Sequence, residues 1–379
     1  MNELPPFDIP TLLKFFWYIF THGGWFFLLV LILYMLYYLY KNEIQHQFVH
    51  NQEWVFLNVK GPKDNLTSTL AVEQIFQQLH VLHVGLTFAQ KYIEGMMQLW
   101  YSFEIISMGG KVSMLIRVPK PKAEFVKAAI YAEYPTAEIN EVEDYMKNMV
   151  YDQENSEFDL FGTEFKIAEK TYLPIKTYKE FEHTAAENPI IDPLAPLFEG
   201  MTRIEPHEFY GIQILAQPIQ DEEWKPQGEL YVKGLTGEEV PHETTVMGFL
   251  LKPFDMFAHF SFKSLLEGGG HDEKPTKSQK NDWMGMTDIE KLRVNSAQSK
   301  MGKSGYRVKI RHLYIAPKGR FDKNKRSHFI GTFRGFGTAQ SNKLKPDVSK
   351  TWTAVDYNKS RSRTSLHGVD SKLPQADDF

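Results

Sequence analysis

Two adjacent glycines, Gly109 and Gly110, stand between two runs of strand-forming residues, and few folds accept that arrangement together with what flanks it. Tyr101, Phe103 and Ile105 alternate with Ser102 and Glu104, and residues 112–118 repeat the composition. The glycine pair therefore predicts a hairpin turn, a conformation that glycine enters at least cost. Pro119 and Pro121 end the second strand. From Lys122 the apolar residues fall at Phe125, Val126, Ala129 and Ile130, a helical stripe that Tyr134-Pro135 stops. Ala137, Ile139 and Val142 predict one more strand. Upstream, residues 53–59 predict a strand, and residues 69–82 a helix with Leu70, Ile75, Phe76, Leu79 and Leu82 on one face and Thr67 or Ser68 as its cap.

The sum is β-α-β-β-α-β, an α+β unit of ferredoxin-like type with both helices on one face of an antiparallel sheet. A second copy of the pattern follows. Residues 161–170 predict a strand, 193–201 a short helix, and 207–217 a strand resembling the one at Tyr101; residues 304–318 parallel 109–120, and a helix over 322–336 follows them. Residues 352–355 predict the closing strand. The repeat is interrupted by a long insertion, about 218–285, rich in Gly, Pro and charge and expected to be mobile, after which 288–300 predict an extra helix. The acidic stretch 138–164 reads as a solvated linker.

These patterns predict an anchor at 1–50, ferredoxin-like domains at 51–147 and 148–340, and a basic, disordered tail at 341–379 that could equally lead into a further domain. The anchor is read from the absence of formal charge between Phe15 and Tyr40 and from the apolar run 23–40, close in length to the roughly 20 residues that a bilayer requires. Trp25, Phe26, Leu29, Leu33, Tyr37 and Tyr40 mark it, with aromatic residues where interfacial belts lie. Residues 5–20 would lie along the interface before a turn at His22-Gly23-Gly24. The expectation is a single-pass membrane protein held in lipid by this helix, its body cytoplasmic on the vote of Lys41, Lys60 and Lys63.

The net charge of -4 conceals an asymmetry. Residues 300–363 hold 17 Lys or Arg against Asp322, Asp347 and Asp356. Lys318, Arg320, Lys323, Lys325, Arg326 and Arg334 load one helix and the turn before it. Such density suits nucleic acid, anionic lipid or an acidic protein, or offsets the acidic first half. The stacking aromatics of a sequence-specific RNA reader are missing from 112–118.

Catalytic patterns are weak. Residues 297–304 (AQSKMGKS) fit the loose form of a phosphate-binding loop, but a helix precedes them and a strand follows, the reverse of what that mechanism needs, so Gly302 reads as a helix end. His46/His50 and His80/His83 have helical spacing without a third ligand, His242-Glu243 has Val246 where a zinc helix needs His, and Asn65-Leu66-Thr67 is a chance-level sequon. Cysteine is absent, which excludes disulfides and thiolate metal sites. The chain reads as non-enzymatic, without cofactor or metal.

The anchor followed by FEII, GGKVSMLIRVPK and AAIYAEYPTAEINEVEDY (103–145, with Tyr134, Pro135, Ala137 and Ile139 as its phrase) resembles the membrane-proximal, non-catalytic region of conjugation and type IV secretion ATPases, and is similar to large membrane proteins of candidate-phyla bacteria. That resemblance implies a scaffold or accessory subunit beside a motor ATPase in an envelope complex, able to form homo-oligomers. Its motor motifs are absent, so no ATP-binding residue is implied. The alternative from the charge pattern is a membrane-tethered nucleic-acid-binding protein using the basic module.

Overall fold

The hairpin forms where the glycines place it. Strands β2 (Tyr101–Met108) and β3 (Lys111–Pro119) pair antiparallel, ending at Met108 opposite Lys111, and Gly109 and Gly110 take φ of 56° and 83°. The computed structural model describes residues 14, 17–18, 20–61, 69–148, 157–182, 192–236, 285–338, 341–347 and 352–354.

In chain order, helix α1 (Trp25–His50) leads to β1 (Trp54–Lys60), α2 (Leu70–His80), the short α3 (Phe88–Tyr92), β2, β3, α4 (Ala123–Glu133) and β4 (Glu138–Val142). The second half runs β5 (Phe158–Ile167), α5 (Tyr178–Glu182), α6 (Ala195–Thr202), β6 (Phe209–Pro218), α7 (Asp221–Thr236), α8 (Asp288–Met301), β7 (Tyr306–Pro317), α9 (Lys323–Arg334), β8 (Leu344–Pro346) and β9 (Trp352–Ala354). All strands join one sheet in the order β4-β1-β3-β2-β6-β7-β5-β8, with β9 beside β8 on the edge of β5.

Each half, numbered by its own strands, has the order 4-1-3-2, and the halves meet at their second strands. There β2 and β6 pair antiparallel from Tyr101↔Ala216 to Met108↔Phe209. Two tandem domains are thus replaced by one continuous α+β sheet. Paired alone, β2 and β6 would each be an edge with unsatisfied backbone groups, and joining them removes both edges.

Period-2 alternation sorts the strand residues between faces. Leu57, Tyr101, Val118, Val126 and Ile130 form the helix-side core of the first half; Phe161, Tyr210, Tyr314, Phe329, Leu197 and Met201 form that of the second. On the opposite face of the sheet, Phe56, Ile106, Leu115 and Phe209 gather under Tyr145. Helix α2 is stitched to the second half: Lys303 Nζ donates to Glu73 Oε2 at 2.6 Å, and the Tyr306 hydroxyl donates to the Phe76 carbonyl.

Several expectations change. Among the described residues no helix is long and apolar enough to cross a membrane, so neither an N-terminal membrane helix nor single-pass membrane localisation stands. The expected turn is present, with Phe20–Gly24 forming a π-turn in which Gly23 takes φ of 99°, but it takes in Gly23 and Gly24, so the apolar part of α1 covers only residues 25–40. At ~1.5 Å per residue those 16 residues span ~24 Å, short of the ~30 Å hydrocarbon core. The acidic linker resolves in part into β4 and β5, with Asp159 and Glu164 buried in β5. Part of the insertion is helix α7, and β8 lies in the stretch expected to be a disordered tail, with Asn342 and Leu344 buried. Residues 5–13, 62–68, 237–284 and 355–379, which carry parts of the anchor, the sequon, the Thr67/Ser68 cap, His242 and most of the insertion and tail, lie outside the described residues; the residue at the N-terminus of α2 is Thr69.

Candidate functional site

Of the six basic residues singled out, two serve the interior of the second half. Glu208 is 3% exposed at the start of β6. Its carboxylate accepts from the Tyr314 hydroxyl at 2.6 Å, Lys325 Nζ at 2.7 Å and the Glu205 amide at 2.6 Å. Burial works to raise the Glu208 pKa, but Lys325, Tyr314 and the amide outweigh it and hold the carboxyl below its ordinary value. Arg326 lays its guanidinium 4.9 Å from the centre of the Phe161 ring. The other four face solvent. Arg320 lies 3.7 Å from Glu205, an exposed pair that contributes little. Lys318 precedes the Gly319 turn, and Lys323 and Arg334 sit at opposite ends of α9, ~16 Å apart along its axis. The structure thus disperses a cluster that looks dense in the sequence.

The six anchor residues share one element and a different surface. Trp25, Phe26, Leu29, Leu33, Tyr37 and Tyr40 lie on α1, with exposures between 42% for Leu29 and 57% for Leu33. Leu28, Leu31, Ile32, Met35, Leu36 and Leu39 are exposed to a similar degree, so no side of the helix between residues 25 and 40 is polar. Among the described residues the C-terminal part of α1 is seated on the body. Phe48 and Val49 pack with Trp54, Trp100 and Leu215, Gly95 lies so close to Ile44 that a side chain there would clash with its backbone, and the Tyr37 ring is 6.4 Å from Tyr92. Phe88 and Ile93, both strongly exposed, belong to the segment beneath it.

A polar joint crosses the seam on the face that carries Phe56 and Ile106. Glu104, 2% exposed on β2, accepts from Ser102 Oγ at 2.6 Å and the Tyr145 hydroxyl at 2.7 Å. From the other half, Gln213 Nε2 on β6 donates to it at 3.0 Å. Arg117 lies over Trp54, its guanidinium 4.4 Å from the ring centre; burial draws its pKa below the ordinary value, while the charges of Glu104 and Asp144 oppose that shift. The joint escaped sequence reasoning because Glu104 sits in regular alternation and looks solvent-facing. Its only signal was an acid inside an otherwise strong strand.

The phosphate-loop lookalike lies at the C-terminus of α8, where Lys303 is held by Glu73. The His46/His50 and His80/His83 rings stack at 6.4 and 6.3 Å, and His80 Nε2 bonds the Ile219 carbonyl. Among the described residues no group of three His, Cys, Asp or Glu could hold a metal ion.

Residues 36–354 match the family described as Domain of unknown function (DUF8128), and the chain belongs to that family. No curated protein and no solved structure matches it. The match covers the sheet and the C-terminal part of α1, and it carries no link to conjugation or secretion ATPases.

Proposed function

We propose that this protein is a non-enzymatic assembly subunit, a rigid sheet that presents helix α1 to protein partners whose own apolar helices enclose it. One observation carries the reading. Apart from the partly buried Val30 and Tyr34, the described side chains of α1 between residues 25 and 40 are apolar or tyrosine and about half exposed, although the C-terminal part of the same helix is firmly seated. A helix that is apolar all round belongs in an interior, and an exposed surface of that extent marks an interaction site. The working state of the chain is therefore one in which α1 is covered.

The test is chemical crosslinking and light scattering of the full chain, purified with whatever it carries, against the double variant Leu29→Glu, Leu33→Glu. Both residues are exposed, so the substitutions leave the fold intact. The parent chain is expected to carry other proteins crosslinked through α1, and the variant to carry none. A parent chain that is monomeric and unaccompanied, or one whose α1 is taken up by phospholipid vesicles in place of protein, would overturn the proposal. Nucleic-acid binding through the basic module is the weaker reading, because Lys325 and Arg326 are committed to Glu208 and Phe161.

A further inference from the structure

The two ends of the sheet are unlike in charge, with the five-residue β4 at one and the three-residue β8, ending in Pro346, at the other. Among the described residues β4 pairs only with β1, and β8 only with β5. Every junction from β4 to β8 is antiparallel, so these two end strands of an eight-strand path run in opposite directions. A second copy set beside the first in the same orientation brings its β4 against the first copy's β8 antiparallel, with the helices of both on the same side. The chain already makes one junction of this kind internally, where β2 meets β6.

Charge favours that pairing over the others. Glu138 and Glu141 of β4 have side chains 69% and 56% exposed even though Lys60 and Lys127 reach them, and Glu143 follows at once, also exposed. On the opposite edge Lys343 and Lys345 are exposed on either side of the buried Leu344, and neither has an ion pair among the described residues. Lys345 lies opposite Lys166 and Glu138 opposite Lys60 on one face of the sheet, whereas Glu141 lies opposite Leu57 on the α4 face, so the contact sets Glu138 against Lys345. Acids on one edge and lysines on the other repel a like edge, the usual protection of exposed strands. They leave the unlike edges attractive.

We propose that copies of this chain associate head to tail, the acidic β4 edge of one against the lysine-bearing β8 edge of the next, extending the sheet as a ring or open filament. The contact is separate from α1 and does not depend on the function proposed above. Sedimentation velocity of the full chain across concentration is the experiment, at low and high salt, in the parent and in the Leu29→Glu, Leu33→Glu background. Association is expected to survive in that background and to weaken with salt. Lys343→Glu with Lys345→Glu, or Glu138→Lys, should each raise the dissociation constant about tenfold. An equal mixture of the two charge-reversed chains should associate again, because every unlike contact is restored. In the Leu29→Glu, Leu33→Glu background, a monomer at all concentrations and salts, association indifferent to both reversals, or a mixture that stays dissociated would overturn the proposal; none of these outcomes in that background touches the α1 reading.

Discussion

Lys323 and Lys325 are two positions apart on α9 and have the same chemistry, but the fold gives them different work. Lys323 points to water, whereas Lys325 neutralises a carboxylate that Tyr314 and the Glu205 amide also hold inside the protein. Removing the partner of a buried charge leaves that charge uncompensated. Lys325→Met is therefore expected to lower stability by ~3 kcal/mol, and Lys323→Met to stay within ~0.5 kcal/mol, as urea unfolding would show.

His312 is a second residue whose neighbours decide its behaviour. It is 2% exposed between Phe161 and Phe165, with the Tyr210 hydroxyl 3.4 Å from Nδ1, and burial, aided by the charge of Arg326, lowers its pKa to about 3. The unfolded chain takes up a proton at this residue near pH 6.5 and the folded chain does not, so stability falls as pH drops from about 6.5 towards 3. The expected loss is ~1.4 kcal/mol per pH unit, and His312→Gln should flatten it. Unfolding midpoints at pH 7 and 5 would decide this, above the range in which Glu73 and Glu208, both held below their ordinary values, begin to protonate.

At the scale of elements, the β2-β3 hairpin was legible because its turn, alternation and stops all lie within twenty residues. The structure adds a clamp. The Gly109 amide donates to the Glu208 carbonyl at 3.0 Å and Ser107 Oγ to the Met201 carbonyl at 2.7 Å, so the hairpin tip is tied to the second half. A Cβ on Gly110 would stand 2.7 Å from the Thr202 carbonyl oxygen, at a φ that side chains rarely adopt. Gly110→Ala is expected to cost ~2–3 kcal/mol through backbone strain and displacement of α6, read as a lowered melting temperature. Helix α1 shows the opposite case. The apolar run 23–40 begins inside the turn at residues 20–24, so the length of the helix could not be taken from the length of the run.

At the scale of the molecule, local sequence determined where the strands, helices and turns fall, since those signals need only neighbours a few residues away. Residues 99–145 alone announce strand, turn, strand, helix and strand. Tertiary structure decided that the two halves share one sheet. The β2-β6 register joins residues more than a hundred positions apart, and neither strand's alternation says which edge it will meet. The same holds for the functional surfaces. A run of lysines and arginines reads alike whether its members face water or a buried carboxylate, and an apolar stretch reads alike whether its helix is enclosed or exposed. The sequence sets the chemistry of each side chain, but only the packed chain determines what each one meets, because desolvation and pairing are properties of the neighbours that folding brings together.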